Sequence, residues 1–489
     1  MTELRVLPAL QGLLDAPDGA PAFVGRDGTT TYGDLRRAAA GYARHVRDRG
    51  VAAGGAALVC APDGVDTVVA VLGAWSAGLV PAVVSADLSE QELAAVVATA
   101  RPALVHAAPG HVLRRLTERA LAVDPQEVTP ADEVTVVPLP EADGPVLVQY
   151  TSGSTGGPKA VQHGARGIAA VLRGFGSVLA LQPGDLVLSA AKLSFGYGFG
   201  NSLLFPLAAG ATAVLDPEPL TLPALGRLLE AHRPSVLCLV PRLLLGLVRA
   251  AELGRPADLR GVRTLVSAGE HLPAELAADV ERLYGLTPVN GLGATEVLHI
   301  VVSTGPGDAR AGLTGRAVPG VRVTVRDDDG RVVPDGEQGR LHVAGDCVAL
   351  GYGGSAPQDR VFADGGAYTG DLARMDDGVV QYLCRADDML VVGGFRYPPH
   401  VVESPLRRVA GVRDVAVVPA TGPGGLQSSV AYVETDGTVA DDALAHAVRR
   451  ALAALPLHQQ CERVEVVPAL PRTSTGKLAR REVRALATT

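Results

Sequence analysis

YTSGSTGGPKAVQH, residues 150–163, is the stretch from which the fold is read. Seven of its first ten positions are Thr, Ser or Gly, and they run into Pro158-Lys159. Gly153, Gly156 and Gly157 let backbone N–H groups approach an anion closely. Thr151, Ser152, Ser154 and Thr155 add hydroxyl donors, and Lys159 adds a cation. The preceding GPVLVQY (144–150) reads as a buried strand, so the loop leaves a strand end, where open α/β sheets bind ligands. A P-loop, G-x-x-x-x-G-K-[ST], does not fit. Pro158 stands at its last glycine and Ala160 at its magnesium-binding hydroxyl. A solvated Ser/Gly linker is the plain alternative, but linkers rarely follow an apolar strand so directly or end in Pro-Lys.

Outward from this loop, 489 residues exceed one core and predict at least two domains. Hydrophobic content of 47% with 20% charged residues is a soluble globular profile. A net charge of −8 gives no basis for nucleic-acid binding. The longest apolar runs, Thr67–Leu79 and Leu237–Val248, fall short of the ~18–20 residues of a membrane span. MTELRVLPAL lacks the basic-then-apolar order of a signal peptide, so a cytoplasmic protein is expected. Cys60, Cys238, Cys347, Cys384 and Cys461 are scattered without metal or redox spacing, and read as reduced small hydrophobes.

Lysine usage is sharper. Of 44 basic residues only Lys159, Lys192 and Lys477 are lysine. Where arginine serves as the generic cation, a remaining lysine points to a need for a compact ammonium. Lys159 ends the glycine loop, Lys477 sits in PRTSTGK, and Lys192 precedes SFGYGFGN, where no role is assigned to it.

Alternating patterns run through the first half. Helices are expected at 31–49 (capped by Thr29 or Thr30), 65–77, 91–99, 222–232, 241–251 and 274–284. Strands are expected at 56–60, 79–84, 103–106, 235–240, 264–266 and 287–289. This is an α/β fold with mostly parallel sheets. From about Val321 the texture changes to short strands with tight turns, an antiparallel β subdomain at about 320–384. Mixed elements follow, so the expected domains are 1–384 and a small α+β C-terminal domain, 385–489.

Polar clusters recur at strand ends: SAGE (267–270), NGLGATE (290–296), YTGD (368–371) and RADD (385–388). A Thr-Glu pair at such an end suits magnesium bridging phosphates, and an Asp after Thr-Gly suits ribose hydroxyls. Each alone is more often a helix cap. In this joint order, with YTSGSTGGPKAV before them and PRTSTGKLARR after, the chain resembles the adenylate-forming superfamily from about Thr31 to Arg484. That superfamily contains acyl- and aryl-CoA synthetases, peptide-synthetase adenylation domains and luciferases. SAAKLSFGYGFGNSLLFPLAAGATAVL (189–215), GATEVLHI (293–300) and RADDMLVVGG (385–394) are most similar to benzoate-CoA ligases.

The resemblance implies ATP- and Mg²⁺-dependent activation of a carboxylic acid. Thr151 to Lys159 would grip the β- and γ-phosphates. Lys477, from a mobile C-terminal domain, would bridge the carboxylate and the α-phosphate. Thr295 would lie near the α-phosphate and Glu296 would hold Mg²⁺. Ser267, Ala268, Gly269, Glu270, Asn290, Gly291 and Leu292 would frame adenine, Asp371 and Arg385 would bind ribose, and Asp387 would be the hinge. Phe195, Gly196, Tyr197 and Gly198, with Gly291, Gly293, His299 and Ile300, are the candidate acid pocket: aromatics with intervening glycines suit a flat ring.

Departures concern the acceptor. Val391 and Gly393 stand where relatives have other residues, and PLHQQ (456–460) replaces a basic run. Basic residues there commonly help to hold CoA phosphates. The acceptor is therefore left as CoA, the phosphopantetheine arm of an acyl carrier protein, or an amine in an amide synthetase. A non-catalytic binding homologue and a P-loop kinase are the competing classes. Monomer and homodimer remain open.

Overall fold

The computed structural model describes residues 2–26, 28–140, 143–151, 158–305, 313–354, 356–421, 427–472 and 478–487. Two compact units result. The first comprises Met1–Asp335, Leu341–Thr369 and Met375–Gln381; the second comprises Gly336–Arg340, Gly370–Arg374 and Tyr382–Thr489. The architecture is mixed α/β, with both parallel and antiparallel sheets.

In the first unit, four parallel strands lie in the order Val80–Val83, Ala56–Cys60, Leu104–Ala107, Leu121–Val123. A nine-stranded sheet has a parallel middle of Pro21–Gly25, Thr212–Val214, Leu186–Ser189, Val236–Leu239, Thr264–Ala268 and Val289–Gly293. Short apolar runs such as VLCL are fully buried because helices cover the parallel strands. Leu237, Leu239, Leu265, Leu225, Leu244 and Val280 meet in one cluster, each burial giving about 1.5–3 kcal/mol. Short strands follow at Arg322–Arg326, Gln338–Ala344, Phe362–Ala363, Gly366–Asp376 and Val379–Arg385. Among the described residues, no helix is long and apolar enough to cross a membrane.

Three expectations are corrected. Helix Tyr32–Asp48 is capped by Thr31, not by Thr29 or Thr30, which lie in the strand Gly28–Thr31. The reason is Asp34, which stands at the third helical position from Thr31 and completes a reciprocal capping box. The NGLG segment is itself strand, Val289–Gly293, because Ser267 pairs with Asn290 and Ala268 with Gly291 in parallel register. Strand 264–266 likewise extends to Ala268.

The second unit is built on Val412–Thr421, antiparallel to Gln427–Thr435, which pairs in parallel with Arg463–Val467. Alternation sends Val415, Val417, Ala431 and Val433 into a core with helices His400–Arg407 and Asp441–Ala453. The opposite face, Ala416, Val418, Val430 and Tyr432, packs with Val483 of helix Arg480–Ala487.

Candidate functional site

Strand Pro145–Thr151 turns back into strand Lys159–Gly164, with Thr151 opposite Lys159. The phosphate-loop residues Ser152, Gly153, Ser154, Thr155, Gly156 and Gly157 lie outside the described residues. The segment after them is a strand, whereas a P-loop runs into a helix.

Lys159 Nζ stands 5.1 Å from the centroid of the Tyr352 ring, a cation–π contact. The Tyr352 hydroxyl donates to Glu296 Oε1 at 2.7 Å. The same tyrosine continues the hairpin, since Tyr352 pairs with Val161. Lys159, Tyr352 and Glu296 thus form one connected group. Tyr352 escaped the sequence reading; its signal is an aromatic set between glycines in LGYGG (350–354).

Thr295 and Glu296 sit in a 3-10 turn, Thr295–Val297, that leads into an unusual backbone. Leu298 has φ +68 and ψ −49, and His299 N–H donates to the Val297 carbonyl at 2.8 Å. This is a γ-turn at a buried non-glycine residue, a conformation that costs about 1–3 kcal/mol and clusters at functional sites. The turn folds His299 and Ile300 back along the preceding strand, so that Gly293 pairs with Ile300. A Cβ at Gly291 would collide with the Ile300 side chain.

Phe195 precedes the helical turn Gly196–Phe199, which continues through a π-helical turn, Gly200–Leu204. Gly196 lies against the Leu298 carbonyl, and Tyr197 O is 3.3 Å from His299 Nε2. His299 also stacks on Phe175 at 5.4 Å and meets the edge of Phe205 at 4.8 Å. Gly196, Tyr197, Gly291, Gly293, His299 and Ile300 are therefore brought together. Gly198 instead abuts the carbonyls of Ala191 and Lys192, so its small size serves close backbone packing. Burial lowers His299 to about 4, keeping the ring neutral, and raises the Tyr197 hydroxyl well above its ordinary value. Tyr197 donates to the Leu239 carbonyl at 3.2 Å.

Lys192 is structural here: its Nζ donates to the carbonyls of Asp216 at 2.8 Å and Glu218 at 2.6 Å. Beside it, the Asp63 carboxylate accepts from Leu193 N–H at 3.1 Å and fixes the start of this segment. Burial raises Asp63 to about 6, against the pull of Lys192.

Ser267 and Ala268 end one strand beside Asn290 and Gly291 on the next, with Gly269 turning away at φ +90 toward Glu270. Asn290 Nδ2 donates to the Leu313 carbonyl at 3.0 Å, and Leu292 pairs with Val302. Asp371 and Arg385 belong to the second unit and pair at 3.1 Å, with Asp371 buried and Arg385 half exposed. Gly370 has φ +78, and a Cβ there would stand 2.8 Å from Arg385 Nη2. Asp387 is exposed, and its carbonyl accepts from Arg484 at 2.8 Å. Lys477 lies outside the described residues. Its described neighbours are fixed: Arg472 bridges to Leu478, and Arg472 pairs with Asp414 at 2.8 Å and Glu434 at 3.0 Å.

Residues 14–353 match the family described as AMP-binding enzyme, and residues 401–477 match the AMP-binding enzyme C-terminal domain. A p-hydroxybenzoic acid–AMP ligase of Mycobacterium tuberculosis is 34% identical over 95% of this chain, which spans 66% of that relative's length. The anthranilate–CoA ligase of Pseudomonas aeruginosa is 38% identical over 84% of this chain and 83% of its own. A benzoate CoA ligase structure from Burkholderia xenovorans superposes with a TM-score of 0.86 at 30% identity, covering 97% of this chain and 99% of that one. The two family matches fall in the order in which the motifs run along the sequence, and the chain belongs to the AMP-binding enzyme family.

Proposed function

We propose that the protein activates an aromatic carboxylic acid with ATP and passes the acyl group to a thiol, that of CoA or of a carrier protein's phosphopantetheine. In the first step a carboxylate oxygen bonds to the α-phosphorus, the bond to the β-phosphate oxygen breaks, and pyrophosphate leaves. The acyl-adenylate then loses AMP to the sulfur, whose proton goes to solvent. The observation that carries this reading is the Lys159–Tyr352–Glu296 group, which sets a cation over the ring and a carboxylate on the hydroxyl of one tyrosine beside the loop strands. The names of the three relatives given above, each an aryl-acid ligase, support the acid class.

Glu296 fits a magnesium site. Among the described residues no group of three or more His, Cys, Asp or Glu could hold a metal, and Mg²⁺ in nucleotide sites needs only one or two carboxylates beside phosphates and water. Bound there, Mg²⁺ would neutralise charge on the leaving pyrophosphate. Lys159 and Thr151 hold phosphate, Asp371 holds ribose, and the bared backbone at Gly196 and the His299 cluster border the ring. Rotation of the C-terminal domain about Asp387 separates the half-reactions in this reading. Five free cysteines suit a reducing cytoplasm.

A second acceptor reading rests on residues 456–460. The turn Leu457–Gln459 carries no Lys or Arg, and His458 stacks on Phe395 at 4.1 Å. Lacking cations there for CoA's phosphates, the enzyme would use a carrier protein's phosphopantetheine or, in this second reading, hand the adenylate to an amine.

The test is acid-dependent ATP–pyrophosphate exchange without acceptor, over aromatic, fatty and amino acids. Exchange with aromatic acids is expected; exchange confined to aliphatic or amino acids would overturn the acid class. Tyr352→Phe keeps the ring beneath Lys159 and removes the hydroxyl on Glu296. It is expected to lower exchange about 10–100-fold, the worth of one hydrogen bond to a charged group, and to raise the Mg²⁺ concentration at half-maximal rate. An unchanged Mg²⁺ titration would remove Tyr352 from the metal site.

A further inference from the structure

Gln149 lies in the strand Pro145–Thr151, is 4% exposed, and has no hydrogen-bond partner among the described residues on either Oε1 or Nε2. Its neighbours Val146, Leu147 and Val148 are apolar, so nothing in the strand pattern calls for an amide. A dry carboxamide costs about 1–3 kcal/mol for each unpaired group, and replacement by an apolar side chain of like shape removes that cost. The fold therefore gains nothing from this residue.

The amide has a direction. Its Oε1 is 2.9 Å and its Nε2 3.5 Å from the point where a Cβ on Gly196 would stand, and the Leu298 carbonyl is 2.5 Å from the same point. Only a bare glycine admits this approach. Gln149 thus reaches the junction of the Gly196–Tyr197 segment with the strained Leu298 turn. It also precedes Thr151 by two residues on one strand face, about 7 Å of chain. In the proposed reaction the acid's carboxylate meets the α-phosphate beside Thr295, three residues before Leu298, whose carbonyl lies against Gly196 together with the Gln149 amide.

Resting on the aryl-acid reading, we propose that Gln149 is a specificity-determining residue whose carboxamide pairs with a hydroxyl or amino group on the ring of the acid. A carboxamide offers a donor and an acceptor, and so does a phenol or an aniline, so both Gln149 groups find partners at once. An ionised carboxylate only accepts and would leave Oε1 facing negative charge. Sites built around a substrate hydroxyl reject analogues that lack it far more strongly than apolar pockets do.

The experiment uses the full chain and pyrophosphate exchange with benzoate, ortho-, meta- and para-hydroxybenzoate, and ortho-aminobenzoate. The wild type is expected to prefer one substituted acid over benzoate. In Gln149→Leu, kcat/KM for that acid should fall about 10–100-fold while benzoate is unchanged or improved. The thermal midpoint of the variant should hold or rise; Gln149→Met, which keeps the length, is the second variant should Leu fail to fold. Equal losses across all five acids would overturn the proposal, because Gln149 would then serve the carboxylate or the loop. An unchanged ratio of substituted acid to benzoate overturns it too. A wild type that exchanges with aliphatic acids and with no aromatic acid fails at the reading beneath, before Gln149 is touched.

Discussion

Lys477→Ala is expected to lower acid-dependent pyrophosphate exchange by about 10²–10³-fold, the usual loss when one group aimed at developing charge is removed. The argument starts from repulsion. A carboxylate and a triphosphate must come within bonding distance, and two unit charges 4 Å apart at an effective dielectric of 20 oppose each other by about 4 kcal/mol. The chain has three lysines. Lys192 is committed to the Asp216 and Glu218 carbonyls, and Lys159 lies over Tyr352 beside Glu296. Lys477 is the remaining compact cation in a chain that otherwise uses arginine. Lys477→Arg should recover less than about a tenth of the rate, since a planar fork cannot take the place of a point charge on a flexible stem. Steady-state exchange and ATP affinity measured together check this. A Lys477→Ala protein with full exchange would sink the mechanism, and one that merely lost ATP binding would move Lys477 from the reaction to the nucleotide.

Legibility followed the range of the cause. Ala56–Cys60 was read to the residue because turn signals and an apolar run bound it locally. Helix Ala274–Tyr284 was equally plain, with Pro273 before it and Gly285 after it. Thr31 was missed because the choice among three threonines depends on which one has an acid three positions on. The long-range parts were not legible at all. Tyr352 reaches Lys159 and Glu296 only because its two-residue strand joins the hairpin, and no periodicity reports that pairing. The positive φ at Leu298 is invisible, since leucine is a poor residue for that conformation and only tertiary packing holds it there. Gln149 was legible as strand, but its burial without partners among the described residues depends on what covers both faces. Lysine scarcity pointed less strongly to Lys192 than to Lys159 and Lys477, and Lys192 is the one bound to backbone carbonyls, those of Asp216 and Glu218.

The largest stability effect is expected at Glu403, in the second unit. This carboxylate is 1% exposed and holds three groups: Arg480 Nη2 at 2.7 Å, Arg407 Nη2 at 3.2 Å and the Val417 N–H at 2.9 Å. Arg407 also reaches Asp414, which Arg472 shares with Glu434. Glu403→Ala leaves two guanidiniums and a strand N–H without this partner, so the unit should lose about 3–5 kcal/mol. Against a typical total of about 5–15 kcal/mol, that is enough to separate its melting from that of the first unit. Calorimetry should show a new early transition, and Cys461, now partly buried against Ser429, should label with thiol reagents above that transition, while the first unit is still folded. Acid should act on the same network. Burial alone would raise Asp414, but Arg407 and Arg472 hold its carboxyl below the ordinary range. Its contribution is therefore present above the unfolded value of about 4 and is lost as pH falls through the lower folded value. The consequence reaches catalysis through the chain. Arg472 and Arg480 flank the segment that carries Lys477, and each is tied to a buried carboxylate of this network. Glu403→Ala should therefore lose exchange activity at temperatures where the first unit is still folded. A variant that kept both its midpoint and its exchange rate would show that the network holds neither the domain nor its lysine.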